Sequence, residues 1–354
     1  MKNILITGGA GFIGSHTCLL LLEEGFNLYI IDSLVNSNKQ VFNGIKKILR
    51  LSNRLNDNKI NFFEGDIRDV AFLRSVFNEA LKKKEEIDAV IHFAGLKSVG
   101  ESNYNPILYW DVNVYGSINL FKVMEENKCR TLLFSSSATI YGDTKEIPFN
   151  ESSNIKPFNT YGYTKASVEY FLKNIFDSDC NQWRVASLRY FNPVGAHPSG
   201  LIGENPKGKP ENIFPYICQV AAGLREKLYV FGNDWPTPDG TCHRDYIHVV
   251  DLAEIHKIVI YYIFERKNIN ISLNVGTGKS NSVLELINTF ERVNKIKINY
   301  EFAERRTGDI AISYADTSLM LKKMNWKPSR SIEDMCRDGW RWQKNHPNLV
   351  KLFK

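Results

Sequence analysis

The sequence predicts an α/β protein with a doubly wound parallel sheet, followed by a smaller α/β domain. Three observations carry that expectation. Short apolar runs alternate with longer amphipathic stretches in the first half, a glycine-rich turn follows the first run, and regular periodicity lapses between Asn192 and Pro215.

The β-type runs are Ile4–Ile6, Leu28–Ile31, Ile60–Phe63, Ala89–Phe93 and Thr131–Phe134, with Arg184–Tyr190 as a further strand. Apolar residues recur at helical spacing through Phe12–Glu24, Asp69–Lys82, Asn105–Glu126 and Tyr161–Phe176. Strand and helix alternating in this way mean a parallel sheet covered on both faces. Residues 34–58, rich in Asn and Lys, read as an exposed helix and loop of unassigned role. From Asn192 to Pro215, Pro, Gly and Asn are frequent, and the second domain is expected to begin there. The expected division is therefore 1–191 and 192–354, with some chain crossing back. In the later part the strands are Leu228–Phe231, Ser272–Val275 and Ile298–Phe302, and the helices Phe214–Arg225, Val250–Phe264 and Val283–Val293. There is no internal repeat.

A length of 354 residues suits two packed domains, and 43% hydrophobic with 24% charged residues disfavours disorder and fibrous repeats. The longest apolar runs, Thr17–Leu22 and Ile258–Phe264, fall far short of the roughly 20 residues of a spanning helix, so no membrane partner is expected. Met1-Lys2-Asn3 leads straight into a strand, the start expected of a mature cytoplasmic chain. The six cysteines (Cys18, Cys129, Cys180, Cys218, Cys242 and Cys336) form no C-x-x-C pair, so free thiols are expected and a metal site is not. The net charge of +6 is spread along the chain, and its one run, Lys82-Lys83-Lys84, is followed by Glu85-Glu86. That reads as a solvated helix end rather than a nucleic-acid surface. A mild basic excess also suits an anionic diphosphate.

The segment Thr7–Gly14 places Gly8, Gly11 and Gly14 between a strand and a helix. Such glycines let the backbone turn tightly and approach a pyrophosphate, whose charge is met by the helix start at Phe12 and Ile13. This context makes the sheet Rossmann-type. Asp32 ends the next strand, where a carboxylate accepts the ribose hydroxyls of NAD and repels the 2′-phosphate of NADP. The competing reading is a helix cap at Ser33-Leu34. Ser33, Asn36 and Ser37 are expected with Asp32 at the cofactor. Asp66-Ile67 and Phe93-Ala94-Gly95 with Lys97 follow later strands, at the carboxyl edge where ligands sit, and Asp66 is expected on the adenine edge.

Tyr161 and Lys165 stand four residues apart, on one helix face. A neighbouring ammonium and a nicotinamide cation are expected to bring the phenol well below its free value, making it a base toward a sugar hydroxyl. Lys165 is also expected to hold the nicotinamide ribose. Ser135-Ser136-Ser137 ends the fifth strand, and Ser137 is placed to hydrogen-bond the reacting oxygen. Taken alone, the pair reads as a surface helix pair and the serines as loop residues.

These residues resemble the extended short-chain dehydrogenases. Four longer blocks, Ile91–Ser102, Phe134–Asp143, Leu188–Gly200 and Arg244–Ala253, are similar to the UDP-glucose 4-epimerase family, and the likeness runs over nearly the whole chain. The resemblance implies an NAD-binding domain over 1–191 and mainly UDP-sugar binding over 192–354. It also implies a hexose oxidised and re-reduced at carbon 4, with Tyr161 as base and NAD returned unchanged. Ser135 would contact the cofactor, Tyr190 and Phe191 would border the nicotinamide, Asn192, Asn212, Ile213, Tyr229 and Phe231 the uridine and sugar, Arg244 and Arg306 the diphosphate, and Asp309 the uridine ribose. A homodimer through Asn105–Glu126 and Tyr161–Phe176 is also implied. The alternatives are another nucleotide-sugar epimerase, dehydratase or oxidoreductase of the same family, or a non-catalytic NAD-sensing protein. A dehydratase is expected to carry an acidic pair after the serines, where Ala138-Thr139-Ile140 has none.

Two positions depart from the family pattern. Val112 stands where many relatives have Asn, shifting weight to Asn113 as a nicotinamide-side residue. Ser313 stands where a bulky Tyr tightens the sugar pocket, so the N-acetylated pair UDP-GlcNAc and UDP-GalNAc is expected to be accepted as well.

Overall fold

The computed structural model describes residues 2–54, 59–143, 146–179, 182–208, 210–306 and 308–347. In chain order the first elements are β1 (Asn3–Thr7), α1 (Phe12–Glu23), β2 (Asn27–Asp32), α2 (Val41–Leu51), β3 (Ile60–Glu64), α3 (Val70–Lys82) and β4 (Ala89–His92). Then come α4 (Val99–Tyr104), α5 (Pro106–Trp110), α6 (Gly116–Glu126), β5 (Thr131–Ser137), α7 (Thr160–Ser178), β6 (Arg184–Tyr190), β7 (Asn192–Val194), α8 (Ile213–Ala221) and β8 (Leu228–Phe231). The last are β9 (His243–Arg244), β10 (Tyr246–His248), α9 (Val249–Phe264), β11 (Ile269–Val275), β12 (Asn281–Ser282), α10 (Val283–Asn294), β13 (Tyr300–Ala303), β14 (Ile312–Ser313), α11 (Ser318–Met324) and α12 (Ile332–Asn345).

Two compact units share the chain. One is Met1–Asp143, Asn154–Tyr190 and Ala253–Leu273; the other is Thr144–Ser153, Phe191–Leu252 and Asn274–Lys354. The first unit is organised by a seven-stranded sheet of order β11-β6-β5-β4-β1-β2-β3. From β3 to β6 every neighbour pairs in parallel, which explains why β1, β2, β4 and β5 read as unbroken apolar runs rather than alternating ones. β1 lies between β2 and β4, the point where the strand order reverses and ligands are met in such sheets. The parallel register brings Thr7 opposite His92 and Ser137 opposite Tyr190 at the carboxyl ends. Beneath that edge Leu5, Tyr29, Val90 and Leu132 pack with Leu73, Val76, Leu120 and Leu172 of the helices in one buried cluster.

Local chemistry sets several helix starts. Asp69 caps α3 through the Phe72 amide, and Asn159 caps α7 by accepting from the Gly162 amide at 2.8 Å. The helix expected over Asn105–Glu126 begins at Pro106 and carries a π-helical turn at Asp111–Tyr115, one extra residue in the ladder of a kind frequent at functional sites. The 34–58 segment is less exposed than expected. Phe42, Ile45, Ile48 and Leu49 of α2 are buried, a 3.6-period face hidden by the surrounding Asn and Lys; residues 55–58 lie outside the described residues.

The second unit has its own core, in which Phe214, Ile217, Leu286, Ile287, Phe290 and Met335 pack together. Three small sheets, β10-β7, β12-β9-β14 and β13-β8, complete it. α8 stops at Ala221 rather than Arg225 because Gly223 takes a left-handed φ of +70° just beyond it. α12 escapes the sequence reading. Its Ser331/Asp334 capping box is legible, but Gly339 in the middle weakens the helical signal. That glycine is required by packing, since a Cβ would stand 2.2 Å from the Phe214 ring.

Among the described residues no helix is long and apolar enough to cross a membrane, and no group of three His, Cys, Asp or Glu is placed to hold a metal ion. Cys18, Cys129, Cys218, Cys242 and Cys336 are buried free thiols, and Cys180 lies outside the described residues.

Candidate active site

The loop between β1 and α1 is built for an anion. Gly8 has φ +71°, and a Cβ there would meet the Ala94 amide nitrogen at 2.7 Å. A Cβ on Gly14 would sit 2.3 Å from the Gly8 carbonyl oxygen, so the first turn of α1 lies directly on the loop backbone. Gly11 occupies the N-cap in extended conformation, no side chain caps the helix, and its first turn has no acidic residue. The first intrahelical bond is Ser15 N–H to the Gly11 carbonyl, which leaves the Phe12, Ile13 and Gly14 amides at an open, positive helix end. This cradle fits the pyrophosphate of a dinucleotide.

Asp32 is buried at the end of β2 and serves the loop directly. One carboxylate oxygen accepts from the Ala10 amide at 2.9 Å, and the other accepts from the Leu34 amide at 2.9 Å and the Ser37 hydroxyl at 2.6 Å. No helix begins at Ser33-Leu34 for Asp32 to cap; its carboxylate instead ties both flanking turns together. Ser33 and Asn36 are exposed beside it. Asp66 is gripped by a residue the sequence reading missed: Arg68 donates to it through Nε at 3.1 Å and Nη2 at 2.7 Å, and spans to Asp111. That guanidinium holds the Asp66 carboxyl below its ordinary range. Ile67 is buried in the core cluster.

After β4, Phe93, Ala94 and Leu96 are half-buried, while Gly95 and Lys97 are exposed. Asn113, in the π-helical turn, clamps this loop. Its Oδ1 accepts from the Leu96 amide at 2.8 Å, and its Nδ2 donates to the Leu96 carbonyl at 3.0 Å and to Thr164 Oγ1 at 3.1 Å. Both amide hydrogens are engaged within the protein, so Asn113 holds the loop to α7. Behind it, His92 joins Thr7 Oγ1 at 2.6 Å to Ser117 Oγ at 2.9 Å, and burial pushes its pKa down to about 3, so it stays neutral.

Tyr161, Lys165 and Ser137 come together as their spacing suggests. The Lys165 ammonium is buried, donates to the Ser135 carbonyl at 2.7 Å and lies 5.9 Å from the centre of the Tyr161 ring. Ser137 Oγ accepts from Thr139 through its amide at 3.2 Å and its hydroxyl at 3.0 Å, and hydrogen-bonds the Tyr161 phenol. In the protein alone, without the charge of a nicotinamide, the electrostatics run the other way. The Tyr161 phenol is pushed up to about 12 by burial, with the Ser137 bond opposing, rather than down. Lys165 is itself brought down to about 8 by burial, against the pull of Glu169. In the protein alone desolvation outweighs the ammonium, and the phenol is neutral.

Glu169, one further turn along α7, is engaged from β6 by Arg189 at 2.7 Å, and both side chains are buried. Ser136 hydrogen-bonds the same carboxylate, and Arg189 reaches the Tyr141 hydroxyl at 2.9 Å. Continuing the Tyr161–Lys165 spacing by four would have found Glu169, and a lone Arg inside the apolar run Val185–Tyr190 was the signal for its partner. Tyr190 is buried with its hydroxyl on His256, a contact 66 residues apart that no local pattern announces. Phe191 belongs to the second unit, buried, with its ring 6.4 Å from Phe149.

Within the second unit, β14 lies alongside β9, so Ser313 is the register partner of Arg244. Arg244 donates to the Ile310 carbonyl at 2.8 Å and lies 3.7 Å from Asp309, which also accepts from Arg306 at 2.8 Å. Arg306 in turn stands 5.7 Å from the centre of the Phe231 ring. Tyr229 and Phe231 alternate outward from β8 and are partly exposed. Asn192 follows in β7, donating its amide to the carbonyl of Asp245, next to Arg244. Asn212 takes the N-cap position of α8 with its side chain turned to Glu204 at 3.3 Å, and Ile213 begins the helix. The buried Asp245, also absent from the sequence reading, accepts from Thr277, Gly278 and Ala315 and fixes the strand that presents Arg244.

A sheet of this order, with an uncapped glycine turn at its switch point and a Tyr–Lys helix at the same carboxyl edge, is the architecture of the extended short-chain dehydrogenases. A family model described as GDP-mannose 4,6 dehydratase matches residues 5–339. The UDP-glucose 4-epimerase of Bacillus subtilis (strain 168) is 46% identical over 348 residues, covering 98% of each chain. The crystal structure of UDP-glucose 4-epimerase from Stenotrophomonas maltophila with bound NAD and formylated UDP-arabinopyranose matches with a TM-score of 0.90 at 45% identity, over 98% of each chain. That of the Bifidobacterium longum enzyme in complex with NAD+ and UDP gives 0.91 at 42% identity, over 98% of this chain and 99% of that one. The chain belongs to the UDP-glucose 4-epimerase family of enzymes.

Proposed function

We propose that the chain is an NAD-dependent UDP-hexose 4-epimerase interconverting UDP-glucose and UDP-galactose. The observation that carries this is the buried Ser137–Tyr161–Lys165 arrangement in a chain so similar to epimerases along its whole length. The first unit would hold NAD, with its pyrophosphate on the Gly8–Gly14 loop and its adenosine ribose at Asp32. When bound, NAD supplies the hydride acceptor at sugar carbon 4 and, beside Lys165, the positive charge that brings the Tyr161 phenol into a basic range.

Tyr161 then takes the proton of the 4-hydroxyl, and Ser137, oriented by its two bonds from Thr139, holds the reacting oxygen. Lys165 stays fixed by the Ser135 carbonyl. The 4-keto sugar turns about its phosphate linkage and is reduced from the other face, with Tyr161 returning the proton. Such a turn needs a firm hold on UDP and a loose one on the hexose. Arg244 and Arg306 suit the diphosphate, their forks pre-aligned by Asp309, while Asn192, Asn212, Ile213, Tyr229 and Phe231 would surround the uridine and sugar. A neutral Tyr161 in the resting protein favours proton removal only once substrate and cofactor are both in place.

The small side chain at Ser313, beside Arg244, supports turnover of the N-acetylated pair as well. Tyr104, Ile107, Trp110, Tyr115, Tyr163 and Tyr170 leave an apolar face exposed on α4–α7, with Ile107 at 84% exposure, which favours a homodimer through those helices.

Purified protein incubated with UDP-galactose and no added NAD is expected to form UDP-glucose until the two reach equilibrium, without net NADH. Stoichiometric NADH would make it an oxidoreductase, and loss of water from the sugar a dehydratase. UDP-GalNAc is expected to be converted by wild type and refused by Ser313→Tyr. A wild type inert toward UDP-GalNAc would remove the pocket-size reading.

A further inference from the structure

His256 stands at the meeting point of two aromatic residues assigned above to the cofactor, although it belongs to neither strand end. It lies on α9, fully buried, with its Nε2 on the Tyr190 hydroxyl. Its ring packs at 4.9 Å against Phe93, which follows β4, and at 5.3 Å against Tyr190, at the end of β6. The Tyr190 oxygen is also hydrogen-bonded by Ser135. Ser135 is the residue whose carbonyl holds the Lys165 ammonium at 2.7 Å.

A phenol has one proton to give and lone pairs to receive. With the Ser135 hydroxyl donating to Tyr190, the phenol proton is left for His256 Nε2 in the tautomer that carries the imidazole proton on Nδ1, and in that tautomer the imidazole is the acceptor of the row. Each hydroxyl orientation in the row then follows from that acceptor. Burial pushes the Tyr190 phenol upward, which suits a fixed neutral donor rather than a second base. Satisfied buried polar rows of this kind specify one arrangement of the side chains they join.

We propose that His256 is a positioning residue for the hydride-transfer site, orienting Tyr190 and Phe93 and, through Ser135, the Lys165 ammonium, and so setting how firmly the nicotinamide half of NAD is held. This rests on the epimerase reading. His256 touches neither sugar nor reacting atoms; its effect passes through Tyr190.

The test uses the full-length protein and three variants. His256→Phe keeps a buried ring but removes the acceptor, His256→Gln offers an amide acceptor in its place, and Tyr190→Phe removes the donor. The readouts are the NAD content of purified protein after gel filtration, NAD affinity by calorimetry on nucleotide-free protein, and the separate effects on kcat and KM for UDP-galactose. His256→Phe and Tyr190→Phe are each expected to weaken NAD binding roughly tenfold, the scale of one lost buried hydrogen bond. They should lower kcat with little change in KM, and the double variant should be no worse than either single one. His256→Gln is expected to recover most of the affinity.

Affinity and kcat at wild-type level in His256→Phe, or additive losses in the double variant, would overturn the proposal. If His256→Phe fails to fold, wild-type NAD affinity in Tyr190→Phe overturns it equally, and a weakened Tyr190→Phe beside a rescued His256→Gln sustains it. Wild type that binds no NAD would overturn the epimerase reading and this proposal together. Wild type that binds NAD beside unaffected variants overturns this proposal alone.

Discussion

Lys165 should be a residue that its own protein would be more stable without. The substitution Lys165→Met keeps an unbranched apolar stem of similar length and removes the buried ammonium. In nucleotide-free protein that ammonium falls from 10.5 to about 8, chiefly through burial. At about 1.4 kcal/mol per tenfold, holding the charge in the fold costs about 3 kcal/mol. Methionine leaves the Ser135 carbonyl without its donor, a loss of about 1 kcal/mol, so the net gain at neutral pH is about 2 kcal/mol. The sign of the pH dependence follows from linkage. Between about pH 8 and 10.5 the unfolded chain holds a proton on Lys165 that the folded one has released, so wild type gains stability across that window while the variant does not. The advantage of Lys165→Met should be full below pH 8, used up near about pH 9.5, and reversed by about 1 kcal/mol at pH 10.5, where only the lost Ser135 bond remains. Urea melts of both proteins from pH 6.5 to 10.5 measure it, beside an assay in which the variant has lost most of its epimerase activity. A variant less stable than wild type at pH 7, or a difference flat across the range, would refute the claim that the ammonium is held against its own solvation.

Other outcomes follow from the same geometry. Asp32→Ala should abolish discrimination of NAD from NADP and also weaken NAD, because the Ala10 amide loses its acceptor at 2.9 Å; titration with both cofactors checks this, and an unchanged ratio counts against it. Gly14→Ala places a Cβ 2.3 Å from the backbone oxygen of Gly8, which cannot swing aside, so a loss of roughly 1–3 kcal/mol together with NAD retention is expected in denaturant melts. Gly339→Ala gains about 1 kcal/mol in helix propensity but presses on the buried Phe214 ring, and the overpacking should win, lowering the melting temperature. Ile107→Glu on the exposed α5 face should convert a dimer to monomer in analytical ultracentrifugation, and an unchanged dimer would locate the interface elsewhere.

The legible parts of this protein are those governed by neighbours in sequence. The glycine turn is read from residues that must lack a Cβ, and the packing of Gly8 against Ala94 and of Gly14 against Gly8 shows that requirement in space. Tyr161 and Lys165 are read from helical spacing, which places them on one face before any tertiary contact forms. Where the reading slipped, packing had overridden a local signal. Gly339 hid α12 because Phe214 needs the space, polar neighbours made α2 look exposed, and the π-helical turn at Asp111–Tyr115 left no mark in apolar periodicity.

By itself the sequence determined a parallel sheet, its phosphate-binding turn and a tyrosine–lysine helix, because periodicity and glycine placement act over a few residues. Only the tertiary structure decided what each buried polar group meets: Asp32 the Ala10 amide, Lys165 the Ser135 carbonyl, Glu169 the Arg189 guanidinium and Tyr190 the His256 imidazole. It also decided that Tyr161 rests as a neutral phenol. The physical reason is the same in each case. Those partners lie 20 to 66 residues apart, and desolvation belongs to the packed protein rather than to any stretch of its chain.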